Sequence, residues 1–287
     1  MTVNEALNAA KKSDRREAEL LLAAATGKDR AFIKSHGDVV LKPGQVTKYN
    51  QFIKRRSAGE PIAYIVGFQP FCGWDFAVDQ NVLIPRPETE QLVEIASVEI
   101  KQAIADGKKI VVADIGTGSG CIALTIATRF KDVNMIASDN SPATLSVVKH
   151  NCKKLSTENV TVIQDDLFGK DVQESIRRYV ESLGAEVFVV ANLPYLPYSD
   201  TDDMQKDVID YEPHTALFAD DDGMALNKKL LKQFFEFRIQ NSEFRVLLEM
   251  DPRQARDLSE YARRLWPKKK ISVEKDLCGR DRFLIIR

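Results

Sequence analysis

The spacing of apolar residues changes character three times along the chain. In NEALNAAKK (residues 4–12) and REAELLLAAAT (16–26), apolar side chains recur at helical intervals, and Gly27 follows the second run where a C-terminal cap belongs. A third helix is predicted from about Gln45 to Ala58, between Pro43-Gly44 and Gly59-Glu60-Pro61. From Gly67 to Leu83 aromatic and β-branched residues take over, with turn signals at Cys72-Gly73 and Asp79-Gln80-Asn81, so a β-hairpin is predicted. Ile84-Pro85-Arg86-Pro87-Glu88 then stiffens the chain ahead of a helix from about Thr89 to Ala105.

After Gly107 short, nearly continuous apolar runs alternate with helical stretches. KIVVADI, NMIASD, VTVIQDD, EVFVVAN and FRVLLEM read as strands, with helices such as IALTIATRF and SPATLSVVKHNCKKL between them. That alternation predicts a mainly parallel sheet covered on both faces. KKISVEKD and RFLIIR, separated by Leu277-Cys278-Gly279-Arg280-Asp281, predict an antiparallel pair that closes the sheet. The expected organisation is a helical domain over residues 1–66, a β-hairpin linker over 67–84, and an α/β domain over 85–287.

Composition narrows the functional classes only modestly. A formal net charge of -1 gives no global field for gripping a polyanion, although a local basic face stays open. Cys72, Cys121, Cys152 and Cys278 show no C-x-x-C spacing, and His36, His150 and His214 are isolated, so neither a zinc site nor a disulfide framework is expected. A reducing compartment fits that pattern. No apolar run approaches the roughly 20 residues that span a bilayer, and the N-terminus lacks the apolar core of a signal segment. A soluble, cytoplasmic protein is expected.

The predicted strand ends carry the candidate chemistry. The first strand runs into Asp114-Ile115-Gly116-Thr117-Gly118-Ser119-Gly120 before a helix. In an open α/β sheet, ligands bind beyond the carboxyl ends of the strands, near the switch in strand order. The spacing is G-x-G-x-G; it departs from the dinucleotide pattern because position 121 is Cys. Such a turn serves tight packing as readily as ligand approach. The second strand sharpens it by ending in Asp139, which can accept both ribose hydroxyl protons. The third ends in Asp165-Asp166-Leu167-Phe168, where a carboxylate can meet an adenine amino group beside an apolar wall. With no lysine or arginine in the turn to hold a phosphate, S-adenosylmethionine is favoured over a nucleotide.

The fourth strand ends in Asn192-Leu193-Pro194-Tyr195. An amide or ring-conjugated amino nitrogen is a weak nucleophile, and methyl transfer from a sulfonium is an in-line displacement in which geometry supplies much of the catalysis. Such a nitrogen needs two acceptors for its N–H groups and a flat surface. The Asn192 side-chain carbonyl and the Leu193 backbone carbonyl supply acceptors; Pro194 restricts Leu193 to extended conformations, and the Tyr195 ring offers the surface. No strong general base is required, because methylation itself acidifies the proton. Asn and Pro are also common where a strand simply exits into a loop, and it is the position after the other strand ends that favours the clamp.

With these residues the chain resembles the PrmC/HemK family of release-factor glutamine N5-methyltransferases. The resemblance runs through RSAGEPIA (56–63), LIPRPETE (83–90), DIGTGSGCIAL (114–124), NLPY (192–195), YEPHTAL (211–217) with the following DDDGM, LLEM (247–250) and GRDRFLIIR at the C-terminus. It implies a seven-stranded, Rossmann-like class I methyltransferase domain with a small N-terminal helical domain that holds the release factor. It implies the glutamine of the Gly-Gly-Gln loop of class 1 release factors as substrate. It also implies that Gly116, Thr117, Gly118, Ser119, Gly120, Asp139, Asp166, Leu167 and Asn192 contact S-adenosylmethionine, and that Asn192, Leu193, Pro194 and Tyr195 bind the glutamine amide. Two positions depart from the family pattern: Leu193 stands where a first proline is usual, and Leu167 where a tryptophan is common.

The main rival is a nucleic-acid amino methyltransferase, since an adenine or guanine amino group presents similar N–H pairs. The balanced charge, the lack of a long basic insert, and LIPRPETE and YEPHTAL speak against it. A scaffold that binds S-adenosylmethionine without catalysis conflicts with the intact turn, Asp139 and Asn192. Neither a membrane nor a nucleic acid is expected as partner, and a monomer is expected because the substrate is itself a large protein. Arg55-Arg56, Asp220-Asp221-Asp222 and Lys268-Lys269-Lys270 read as surface features, and Trp74 and Trp266 as packing residues.

Overall fold

The computed structural model describes residues 1–10, 14–237 and 243–287. Lys11 and Lys12, at the end of the first predicted helical run, lie outside the described residues. The chain begins with α1 (Val3–Ala9), α2 (Arg15–Thr26), α3 (Arg30–Ser35), α4 (Pro43–Ser57) and α5 (Ile62–Val66), followed by the hairpin strands β1 (Phe68–Phe71) and β2 (Trp74–Ala77). Next come α6 (Pro87–Ala105), β3 (Ile110–Ile115), α7 (Cys121–Arg129), β4 (Asn134–Asp139) and α8 (Pro142–Leu155). These lead into β5 (Val160–Gln164), α9 (Lys170–Leu183), β6 (Glu186–Ala191) and α10 (Lys206–Tyr211). The last elements are α11 (Ala225–Phe237), β7 (Phe244–Glu249), α12 (Ala255–Leu265), β8 (Ile271–Lys275) and β9 (Asp281–Ile286).

Two compact units result: Met1–Phe68 with Met204–Tyr211, and Gln69–Asp203 with Glu212–Arg287. In the first, a capping box between Thr2 and Glu5 starts α1, Asp14 caps α2, and Gly27 ends α2 with φ 69°. Leu21, Leu22, Ile33, Tyr49 and Phe52 share one core. The turns carrying α3 and α5 hold too few residues for a periodicity to be read from sequence. Arg55 and Arg56 are not loose surface charges. Arg55 pairs with Glu60, while Arg56 bridges Glu17 at 2.7 Å and Asp207 of α10 at 3.6 Å.

The second unit is built on a seven-stranded sheet of order β5-β4-β3-β6-β7-β9-β8. All pairs are parallel except those of β9, which runs antiparallel to β7 and β8. β3 and β6 are buried along their whole length, as strands covered on both faces must be. Their side chains alternate between two cores. Val112, Phe188 and Val190 pack with α6 and α7, and Val111, Val187 and Val189 with α9, α11 and α12. The order reverses between β3 and β6, which fixes where a ligand crevice opens.

Two expectations need correction. The hairpin stops at Ala77, and the chain from there to α6 forms no strand. Trp74 is 45% exposed and does not pack into the core, whereas Trp266 packs among Phe234, Phe235 and Phe244. Among the described residues no helix is long and apolar enough to cross a membrane.

Candidate active site

Parallel register sets the strand ends side by side. Ile115 of β3 pairs with Ser138 of β4 on one side and Ala191 of β6 on the other. Gly116, Asp139 and Asn192 therefore leave the sheet together, around a cleft of about 320 Å³. Gly116, Thr117, Gly118, Ser119, Asp139, Asp166, Leu167, Asn192, Leu193 and Pro194 all line it. Two candidates stand off its wall: Gly120 packs toward Leu124 and Val148, and the Tyr195 hydroxyl turns to Glu249. Gln80, Asn81, Val82, Leu83, Pro85 and Arg86, with Pro213, Thr215 and Ala216, also line the cleft, which the strand pattern could not reveal.

The glycine turn is braced from below by Asp114, a fully buried residue. Its Oδ2 accepts from the Thr117 hydroxyl at 2.6 Å and from the Ala123 backbone N–H of α7 at 3.1 Å. Burial pushes the Asp114 carboxyl up to about 7, against the pull of those hydrogen bonds. The turn also meets the clamp segment directly. Gly116 has φ 69°, and a Cβ there would stand 2.6 Å from Cδ2 of Leu193. Leu193 is 2% exposed, so where the family pattern has proline, this chain wedges a leucine side chain against the turn.

The remaining strand ends are only partly committed. Asp139 accepts from Gly118 N–H with Oδ2 and from Ser141 N–H with Oδ1, which leaves lone pairs toward the cleft. Burial holds its carboxyl above the usual range. Asp165 caps α9 through the N–H groups of Asp171 and Val172. Asp166 instead stands at the rim, in an ion pair of 2.6 Å with Lys229. Leu167 adopts φ 55°, a conformation uncommon for leucine, and is buried along the cleft wall. The Ser119 hydroxyl is buried at the same wall with no hydrogen-bond partner among the described residues. Side chains with lone pairs to offer, an orphaned hydroxyl and an apolar wall fit an adenosyl group carrying an amino-acid tail.

At the other end, Asn192 Nδ2 donates to the Thr89 hydroxyl at 2.9 Å, across a separation of 103 residues. The Tyr195 hydroxyl donates to Glu249 at 3.3 Å, and its carbonyl accepts from Gln254 at 2.7 Å. A side chain at Gly223 would collide with that same carbonyl, so the loop after Asp220-Asp221-Asp222 closes on Tyr195 through a glycine. Glu212 of YEPHTAL accepts from the Ile84 N–H at 3.0 Å and from Arg86 at 2.5 Å, tying one signature motif to the other. Thr89, Glu212 and Glu249 lay within the motifs already singled out. Only the distant pairing gives them a role.

Strand order, glycine turn and acidic second strand end together define a class I methyltransferase domain. A methyltransferase-domain family model matches residues 112–200, and a PrmC N-terminal domain model matches residues 2–67. A protein named release factor glutamine methyltransferase from Rhodopirellula baltica is 34% identical, covering 95% of this chain and 88% of its own. One of the same name from Leptospira interrogans is 35% identical over 96% and 91%; one from Escherichia coli is 36% identical over 75% and 72%. The hMettl16 catalytic domain, solved with a MAT2A 3'UTR hairpin, superposes with a TM-score of 0.54 at 14% identity, over 87% of this chain and 84% of that one. At that identity the likeness is one of fold. The chain belongs to the release factor glutamine methyltransferase family.

Two measurements test this geometry. Gly116→Ala forces a Cβ into Leu193 and a left-handed backbone onto an L-residue, so affinity for S-adenosylmethionine by calorimetry should fall about tenfold. Adding Leu193→Ala should recover part of the loss; additive losses would mean the two do not meet. Asp114 bears a carboxyl raised in the folded state, so its stabilisation is complete below its unfolded pKa of 3.8 and is lost as pH rises through about 7. Measured by denaturant unfolding, the wild type should lose stability relative to Asp114→Asn over that window, and a parallel pH dependence would contradict the assignment.

Proposed function

We propose that this methyltransferase moves a methyl group from S-adenosylmethionine to the N5 amide nitrogen of the glutamine in the Gly-Gly-Gln motif of class 1 peptide-chain release factors. The observation that carries the reading is the Asn192–Thr89 hydrogen bond. It ties up the amide nitrogen of Asn192 and leaves the side-chain oxygen for the cleft that Asn192 lines. Family membership supplies the substrate class.

When bound, S-adenosylmethionine supplies an electrophilic methyl group on a sulfonium. The chain's part is to bind and orient. Gly116 to Gly120 form the turn around the amino-acid tail, with Thr117 and Ser119 offering hydroxyls. Asp139 accepts from the ribose hydroxyls, and Asp166 and Leu167 flank the adenine. Asn192 Oδ1 and the Leu193 carbonyl accept the two amide N–H groups, holding the glutamine nitrogen with its face open toward the methyl group. Pro194 fixes the direction of the Leu193 carbonyl. Tyr195 acts from behind the clamp, its hydroxyl on Glu249 and its carbonyl held by Gln254. The nitrogen's proton leaves once the new bond has made it acidic.

The division of labour follows the expected segments. Residues 1–66 hold the body of the release factor, 67–84 link, and 85–287 carry the chemistry. The enzyme works as a monomer in the cytoplasm, where its substrate is found. Methylation of a nucleic acid is disfavoured by the sequence of the signature motifs, and the likeness to hMettl16 extends to fold alone.

The test is incubation with S-adenosylmethionine and a purified release factor, followed by peptide mass analysis. One added methyl on the Gly-Gly-Gln glutamine is expected, reduced at least about a hundredfold in Asn192→Ala. Methylated RNA or DNA beside an unmodified release factor would overturn the reading. Leu193→Pro should keep activity, because proline retains the carbonyl; its abolition would mean that the leucine side chain itself shapes the substrate site.

A further inference from the structure

A buried carboxylate stands behind the clamp. Glu249 ends β7, next to β6 in the sheet, where Leu248 pairs with Ala191; this brings Glu249 alongside Asn192. It is fully buried and lies off the cleft wall. The groups around it set a direction for hydrogen bonding. Asn192 Nδ2 donates to the Thr89 hydroxyl oxygen at 2.9 Å. Tyr195 donates to Glu249 Oε1 at 3.3 Å, while Glu249 Oε2 is buried with no hydrogen-bond partner among the described residues and Thr89 stands near enough to favour the ionised carboxyl. With its oxygen taken by Asn192, the Thr89 hydroxyl has a proton left for that open oxygen, which on an ionised carboxylate only accepts.

That direction decides which end of an asparagine faces the cleft. The two ends of a side-chain amide have nearly the same shape, and only their partners distinguish them. While Thr89 gives its proton to Glu249, its oxygen can only accept from Asn192, so the Asn192 nitrogen is drawn to Thr89. Were the Thr89 proton turned toward Asn192, the amide would flip and present N–H groups to the cleft, where acceptors are needed.

We propose that Glu249 is a positioning residue for methyl transfer: its carboxylate polarises the chain through Thr89 and so holds Asn192 Oδ1 toward the acceptor nitrogen. The proposal rests on the amide-clamp reading given above. Charged groups around Glu249 keep the carboxylate usable. Arg282, 8% exposed and itself held by Asp276 and the Met250 carbonyl, faces it from β9, and Glu88 of α6 opposes it with like charge. Burial pushes Glu249 up to about 7, against the pull of Thr89, Arg282 and Tyr195. A protonated Glu249 becomes a donor, Thr89 is released, and turnover falls as pH drops through that value. Asp114 titrates over the same range, but it braces the cofactor turn, so its protonation appears in cofactor affinity.

The experiment uses the full chain, S-adenosylmethionine and a purified release factor, with kcat measured at saturation of both from about pH 6 to about pH 9. Glu249→Gln, of equal size, should lower kcat about a hundredfold with cofactor affinity unchanged, and should flatten the acid limb. Glu249→Asp should restore part of the rate and the acid limb. Thr89→Val should lower kcat too, and combining it with Glu249→Gln should add little, because both cut one chain. A Glu249→Gln enzyme with wild-type kcat and acid limb overturns the proposal. So does a parallel loss of kcat and cofactor affinity, which marks a structural role only. If the wild type leaves the release factor unmethylated, the substrate reading fails and takes this inference with it. If the wild type methylates it and Glu249→Gln does so equally, the positioning role alone fails.

Discussion

The hydrogen bond from Asn192 to Thr89 is the constraint around which the active end of the sheet is organised. It joins the end of β6 to the first turn of α6, two places that sequence order separates widely. For that bond to hold one orientation, the Thr89 proton must go elsewhere, and β7 brings up Glu249, whose buried Oε2 has no partner among the described residues. A buried carboxylate is unfavourable without charge compensation and hydrogen bonds. β9, running antiparallel to β7, supplies the charge, since Phe283 pairs with Glu249 and the adjacent Arg282 acts on it with Asp276 behind, while Tyr195 supplies a hydrogen bond. The closing antiparallel pair therefore does more than finish the sheet.

A second buried carboxylate repeats the arrangement one strand pair away. Asp114 is the penultimate residue of β3 beneath the glycine turn, as Glu249 is the last of β7 beneath the clamp. Each is held at an elevated pKa by burial, and each points its hydrogen bonds at a loop that lines the cleft. Perturbed carboxyls often gather at functional sites. Here both sit one layer behind the surface, where they fix the shape and polarity of backbone and side chains that meet the ligands. Leu193 couples the two ends, because its side chain fills the space that glycine leaves open at position 116.

Much of this was legible from local pattern. The five parallel strands and the antiparallel closing pair follow from short apolar runs, and the strand ends at Gly116, Asp139 and Asn192 follow from where those runs stop. The hairpin turn at Cys72-Gly73 was legible for the same reason. The illegible part has one physical cause, which is that partners distant in sequence define it. Thr89 reads as an ordinary first-turn helix residue until Asn192 is beside it, and Glu212 as a loop acid until Arg86 and the Ile84 N–H converge on it. Val82 and Leu83 read as part of a hairpin because the residues are β-prone, yet the cleft claims them as wall. Trp74 illustrates the converse: an aromatic on a two-stranded hairpin has one face with nothing to cover it.

The central claim is that Asn192 presents its oxygen to the acceptor nitrogen. The most direct measurement is a high-resolution crystal structure of the chain with S-adenosylhomocysteine and a glutamine-containing Gly-Gly-Gln peptide. The account predicts the glutamine side-chain nitrogen at roughly 3 Å from both Asn192 Oδ1 and the Leu193 carbonyl oxygen, with Asn192 Nδ2 still on Thr89. A glutamine carbonyl meeting Asn192 Nδ2, or a glutamine seated away from Asn192, would contradict it.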